Sequence, residues 1–147
     1  MPKPPLPPEV DALLRKANPA VIATIRADGS PHTAVTWYDW DGQHLLVNMD
    51  ATRLRLKNMR RDPRVSLTVM DGPDWYRQVT IFGRVAEIRD DPEFKDIDRL
   101  CLRYTRRQFH NRLRARISAL IEPERWYGWE GSSHWPPPRS PSDSSLR

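Results

Sequence analysis

The chain has 147 residues, a formal net charge of +5 and a pI near 9.8. That length makes one ordinary domain with a single substantial core, and the charge suits an anionic partner, polymer or small molecule. One cysteine, Cys101, excludes an internal disulfide and any cysteine-rich metal site. No apolar run approaches the ~20 residues that span a bilayer, and "MPKPPLPPEV" lacks the apolar core of a secretion signal, so a soluble cytoplasmic protein is expected.

Taken in order, residues 1–7 ("MPKPPLP") form a stiff proline-rich lead-in, and "EVDALLRKA" predicts a short amphipathic helix with Val10, Leu13 and Leu14 on one side. "AVIATIRADGSPHTAVTWYDWDGQHLLVNM" then holds three β-rich runs, separated by Asp28-Gly29 and Asp41-Gly42. Those dipeptides tolerate the positive φ of tight hairpin turns. The first run, Ala20 to Ile25, is almost wholly apolar and is expected to be buried on both faces. "TRLRLKNMRRDPR", residues 52–64, predicts a short helix capped by Thr52 and stopped by Asp62-Pro63. "RVSLTVMD" and "YRQVTIFGRVAEI" read as two further strands. "DPEFKDIDRLCLRY" predicts a helix with its apolar stripe at Phe94, Ile97, Leu100 and Cys101, where the cysteine is a small buried apolar residue. "ARISALIEP" is a last strand with Ala115, Ile117, Ala119 and Ile121 on one face. Residues 132–147, "SSHWPPPRSPSDSSLR", are Pro/Ser-rich and expected to be disordered. Six strands in mostly hairpin order, with a few helices at the edges, predict a closed antiparallel barrel over residues 8–131.

Familiar catalytic signatures are missing: there is no G-x-S-x-G, H-E-x-x-H, GxGxxG or P-loop. The histidines at 32, 44, 110 and 134 have no metal-ligand spacing, so no metal is expected, and His32 reads as structural. Most carboxylates fall in turns, as at Asp28, Asp41, Asp62 and Asp71. No catalytic side chain is assigned; any chemistry is expected to reside in a bound cofactor that the protein positions.

The segment 52–64 carries six positive charges in thirteen positions. On a helical wheel Arg53, Lys57, Arg60 and Arg61 share one face opposite Leu56 and Met59, while Arg55 lies at the edge of the apolar side. A solvated face explains most of this charge but not Arg53 and Arg55, because cations in a first turn oppose the helix dipole unless an anion is bound. Free backbone N–H groups, the Thr52 hydroxyl and two guanidiniums would suit a phosphate. Nucleic acid would want a recognition helix or aromatics spaced for stacking. The Trp and Tyr residues instead cluster beside turns, so neither nucleic acid nor a membrane is expected as partner.

"NMRRDPRVSLTV" followed by "YRQVTIFGRVAEI" resembles the split-barrel superfamily of pyridoxamine-phosphate-oxidase-like flavin and deazaflavin proteins. The resemblance covers roughly residues 8–130. It implies a mainly β fold, a six-stranded antiparallel split β-barrel with a few short flanking helices. It also implies a homodimer, with two cofactor sites in the grooves between subunits. Matched residue by residue, Arg55 corresponds to the basic residue gripping the cofactor phosphate, with Arg53 alongside. Asn48 and Met49 fall where a strand edge touches the phosphate side of the ring system. Thr33, Ala34, Val35, Thr36 and Trp37 match the strand lining the ring, mostly through backbone groups. Gln78 matches a glutamine reaching the cofactor from the second subunit, assisted by Arg77 or Tyr76. The chain ends "IEPERWYGWEG" in place of the "RL-x-P"-type motif of true pyridoxamine-phosphate oxidases. "IDRLCLRYT" and "PERWYGW" look most like the branch that uses the deazaflavin coenzyme F420, whose polyanionic tail would meet Lys57 and Arg60. The expected activity is hydride transfer from reduced F420 to an unsaturated small molecule. The alternatives are an FMN-dependent oxidoreductase of the same fold and a non-catalytic flavin or deazaflavin carrier. Trp126 and Trp129 are open between closing the barrel mouth or the dimer interface and lining the ring pocket.

Overall fold

The structure is a computed structural model that describes residues 1–139. Residues 140–147, half of the tail expected to be disordered, lie outside it. Three helices, α1 (Pro8–Arg15), α2 (Leu54–Arg61) and α3 (Lys95–Thr105), flank an antiparallel sheet. Its strands are β1 (Ala20–Ile25), β2 (Pro31–Thr36), β3 (Asp39–Trp40), β4 (Leu45–Asp50), β5 (Arg64–Met70), β6 (Arg77–Asp90), β7 (Arg116–Glu130) and β8 (Ser133–His134). The order is β2-β1-β5-β6-β7-β4-β3, with β8 against β7. Eight strands therefore form where six were expected, the two-residue β3 and β8 being the additions.

The sheet is not the closed barrel predicted: among the described residues no ladder joins its end strands β2 and β3. Helices fill that gap. The Tyr38 hydroxyl, between the two strands, donates to the Lys16 carbonyl at 2.9 Å. Arg103 of α3 donates to the carbonyls of Leu14 at 3.0 Å, Arg15 at 2.7 Å, Lys16 at 2.6 Å and Tyr38 at 3.1 Å. One guanidinium thus satisfies the carbonyls left over at the end of α1 and ties α1, α3 and the β2–β3 link together.

Alternation along the strands builds the core. Ile22, Leu67, Val69, Val79, Ile81, Ile117, Ala119 and Ile121 point inward with Leu45, Val47 and Met49, and α1 and α2 close over them with Val10, Leu13, Leu14, Leu56 and Met59. The strand buried on both faces is β4, not β1. Leu46 packs outward against Ile97 and Leu100 of α3, whereas Val21, Ala23 and Ile25 of β1 are only half-buried. Hairpin turns fall at the two Asp-Gly pairs, with Gly29 at φ 85° and Gly42 at φ 95°. The last strand runs past Pro123 to Glu130 because a register shift against Phe82 and Gly83 leaves the imide nitrogen at a bulge.

Segments on either side of the sheet pack against it. The Pro2 carbonyl accepts from the Trp126 amide at 3.1 Å, and Leu6 packs on the core. At the other end Trp135 donates its amide to Gly128 at 2.9 Å, and Arg77 lies 5.1 Å from its ring centroid. A Cβ at 128 would collide with the Trp135 carbonyl oxygen, so only glycine admits this crossing.

Candidate functional site

Helix α2 carries its charge as the wheel requires. Leu56 and Met59 are buried, Arg53, Lys57, Arg60 and Arg61 exposed, and Arg55 half-buried between them. Thr52 is not the cap, which is Arg53 with no side-chain bond. The Thr52 hydroxyl and amide both turn back to Asp50 Oδ1 at 2.7 Å, an Asx-type turn that competes with capping. Asp50 Oδ2 in turn accepts from Arg114 at 3.0 Å. These bonds, Thr52 first and Arg114 after, hold the Asp50 carboxyl well below its ordinary range. Thr52 is therefore not free to bind a phosphate.

Arg55 divides two cavities. One, about 450 Å³, is lined by His32, Ala34, Val35, Arg53, Leu54 and Arg55. The other, about 210 Å³, lies between β2, β4, α3 and the start of β7; its polar lining is Thr36, Asn48, Arg55 and Arg116. Its walls are otherwise Val35, Trp37, Ile97, Leu100 and Phe109. No carboxylate lines either cavity. Arg55 makes only long contacts, at 3.4 Å to the Val35 and Asn48 carbonyls. Its Nε is buried without a partner, as is Nδ1 of His32. Burial, then the like charges of Arg53 and Arg116, push Arg55 below the ordinary arginine pKa. Among the described residues, none of Arg53, Arg55, Lys57, Arg60, Arg61 and Arg116 has a carboxylate within 4.0 Å. Half-buried guanidiniums without counterions are costly unless an anion joins them, so the donor set fits a phosphorylated ligand.

Beside the smaller cavity lies a buried polar network. Arg116 Nε donates to Asn48 Oδ1 at 2.9 Å, and the Asn48 amide donates to Asp91 at 3.1 Å and Ser118 at 2.9 Å. Ser118 donates to Asp96 at 2.7 Å. Asp91 also caps α3, accepting the amides of Asp96 and Ile97 at 3.1 and 3.0 Å.

Of the residues matched to a cofactor site, Ala34, Val35, Thr36, Trp37, Asn48, Arg53 and Arg55 come together around these cavities. Met49 does not: alternation turns it into the core beside Asn48. Thr33 is exposed, and neither it nor Lys57 lines either cavity. Arg77 is held by Glu130 at 2.7 Å, and Gln78 pairs with Met70 and Trp129, away from both cavities. Trp126 packs on the core and Trp129 stacks on His134, 4.3 Å between centroids, and neither lines either cavity. Arg61 is not simply solvated, since it donates to the Ile25 carbonyl at 2.6 Å and to buried Asn58 at 3.2 Å. Arg116 and Phe109 are the residues that motif matching missed. Alternation held the signal for the first: with Ile117 inward, position 116 faces outward, on the same side as Ser118.

Residues 6–130 match the pyridoxamine 5'-phosphate oxidase family. The chain belongs to that family. Among solved structures, an F420 reductase is 26% identical with a TM-score of 0.77, covering 82% of this chain and 98% of its own. A conserved hypothetical protein of Mycobacterium tuberculosis is 25% identical with a TM-score of 0.68, over 94% and 95%. A putative pyridoxamine 5'-phosphate oxidase of Listeria innocua, 20% identical with a TM-score of 0.61 over 80% and 93%, shows the shared fold. Family members bind flavins, which agrees with the anion-seeking donor set at Arg55. Among the described residues no helix is long and apolar enough to cross a membrane, and no cluster of His, Cys, Asp and Glu could hold a metal ion.

Proposed function

We propose that this protein is a cytoplasmic F420-dependent oxidoreductase that passes hydride from the reduced deazaflavin to an unsaturated small molecule. The observation that carries the reading is Arg55: a half-buried guanidinium with an unpartnered Nε, between two cavities that no carboxylate lines. The similarity to an F420 reductase over most of both chains favours the deazaflavin over FMN. Arg55 and Arg53 would hold the phosphate, and Lys57 and Arg60, exposed on the same helix, would meet the anionic tail. Val35 to Trp37 and Asn48 would face the ring system. When bound, the deazaflavin supplies the carbon centre that gives up hydride. The protein's own part is to orient that group, exclude water with Trp37, Ile97, Leu100 and Phe109, and neutralise charge.

A homodimer belongs to the same proposal. The outer face of β1 and its neighbours presents half-buried Val21, Ala23, Ile25 and Phe82, with Val35 77% exposed, an apolar surface that a second copy would cover. Trp75 and Tyr76, stacked at 4.7 Å and exposed beside Gln78, would extend it. Gln78 would then reach the partner's cofactor. The test is titration of the purified protein with F420 and with FMN, followed by fluorescence, alongside light scattering. Tight F420 binding by a dimer, and turnover of reduced F420 with an unsaturated acceptor, are expected. A cofactor-binding monomer would refute the Gln78 assignment, and absence of F420 binding would refute the function.

A further inference from the structure

The structure assigns Arg116 a role that neither the motifs nor the relatives indicate. We propose that it is a charge anchor for the bound cofactor, holding the reduced form more tightly than the oxidised form and so raising its reduction potential. The inference rests on the cofactor reading above.

Three observations carry it. The first is place: Arg116 lines the smaller cavity with Val35, Thr36, Trp37 and Asn48, the residues on which the expected ring-lining positions converge. The second is orientation. Nε is fixed by Asn48 Oδ1 at 2.9 Å, and Asn48 is itself held by Asp91 and Ser118. The Phe109 ring lies 4.9 Å from the guanidinium carbon. With Nε taken, the two terminal nitrogens have no hydrogen-bond partner among the described residues. The third is charge. The nearby carboxylates are already engaged, Asp91 with two α3 amides and Asn48, and Asp50 with Thr52 and Arg114. Burial pushes Arg116 below the ordinary arginine pKa, with the charge of Arg53, and the Asp50 and Asp91 carboxylates offset this only in part.

Such a site prefers whichever ligand state carries more negative charge. A flavin or deazaflavin that takes up a hydride, two electrons and one proton, becomes one unit more negative until a second proton arrives from solvent. Arg116 and Arg55, facing the same cavity, favour that state by attraction alone.

The test uses the full chain with FMN and with F420, each added oxidised and then reduced by dithionite. Dissociation constants of both forms are measured by fluorescence and absorbance, with the midpoint potential read against reference dyes. The unmodified protein is expected to bind the reduced form at least tenfold more tightly. Arg116→Gln should lose about tenfold of that ratio, which for a two-electron couple lowers the potential by about 30 mV. Arg116→Lys, keeping the charge, should stay within threefold of the unmodified ratio. A wild-type protein with no preference for the reduced form overturns the proposal, as does a ratio that Arg116→Gln leaves unchanged or that Gln and Lys change equally. Failure of both cofactors to bind the unmodified protein overturns the cofactor reading itself, and this inference with it. Bound cofactor with a ratio indifferent to Arg116 overturns only the inference.

Discussion

Replacing Arg55 with alanine separates a binding arginine from a structural one, because the two roles move stability in different directions. In the free protein Arg55 contributes little: its carbonyl contacts are 3.4 Å long, beyond the 2.7–3.2 Å usual for N–H···O bonds. Its Nε is buried with no acceptor, and the neighbouring cations Arg53 and Arg116 oppose its charge. Truncation removes this unfavourable burial together with some packing of the side-chain stem, so the unliganded melting curve should move by less than about 0.5 kcal/mol. Binding should behave otherwise. Losing one charge-assisted hydrogen bond to a phosphate costs about 1.5–3 kcal/mol, roughly a ten- to hundredfold weaker F420 affinity. The assay pairs urea denaturation of the unliganded variant with fluorescence titration, and exposed Arg26→Ala serves as a control near the ~0–1 kcal/mol of a surface charge. Salt-sensitive binding of a short DNA duplex, with both variants losing equally, would indicate a nucleic-acid patch instead. An Arg55→Ala protein destabilised by about 2 kcal/mol, yet unchanged in F420 affinity, would refute the reasoning.

Arg103→Ala should destabilise the fold by about 2–4 kcal/mol in urea, the scale of one or two charge-assisted bonds to carbonyls that water does not fully replace, while leaving F420 affinity nearly unchanged; a loss below 0.5 kcal/mol would dismiss its role in tying α1 to α3. Deleting residues 133–147 should cost about 1–2 kcal/mol by removing the half-buried Trp135 and its contact with Arg77, which chemical denaturation would detect; an unaltered curve would mean the β8 pairing adds nothing. Asp50, whose folded pKa is depressed, contributes stability that is complete above the unfolded carboxylate value of about 4 and is lost as pH falls through the folded value. Asp50→Asn should therefore flatten the stability profile below pH 4 without changing its slope between pH 6 and 8, and profiles that coincide in the acid range would count against the Thr52–Arg114 account.

What the sequence made legible was whatever depends on local pattern, and what it hid depends on register between distant strands. Alternation and Asp-Gly turns located the long strands, and the three-to-four spacing of Leu56 and Met59 oriented α2, so Arg55 could be set apart from Arg53, Lys57 and Arg60 before any fold was known. An apolar run such as β1 does not say which strand a helix covers on its second face. That cover went to β4, where Asn48 sits opposite Ser118 and Asp50 opposite Arg116. The same pairing explains why the motif does not single out Arg116: "ARISALIEP" places it on a strand, and only the register with β4 brings it beside Arg55. Thr52 was misread for a related reason, since an Asx-type turn from Asp50 and an N-cap use the same hydroxyl, and a partner 64 residues away, Arg114, favours the first. The site is thus assembled by non-local pairing laid over a locally readable helix: α2 supplies charges that motif and periodicity reveal, while β4 and β7 decide which of them line the cavity and which face water only.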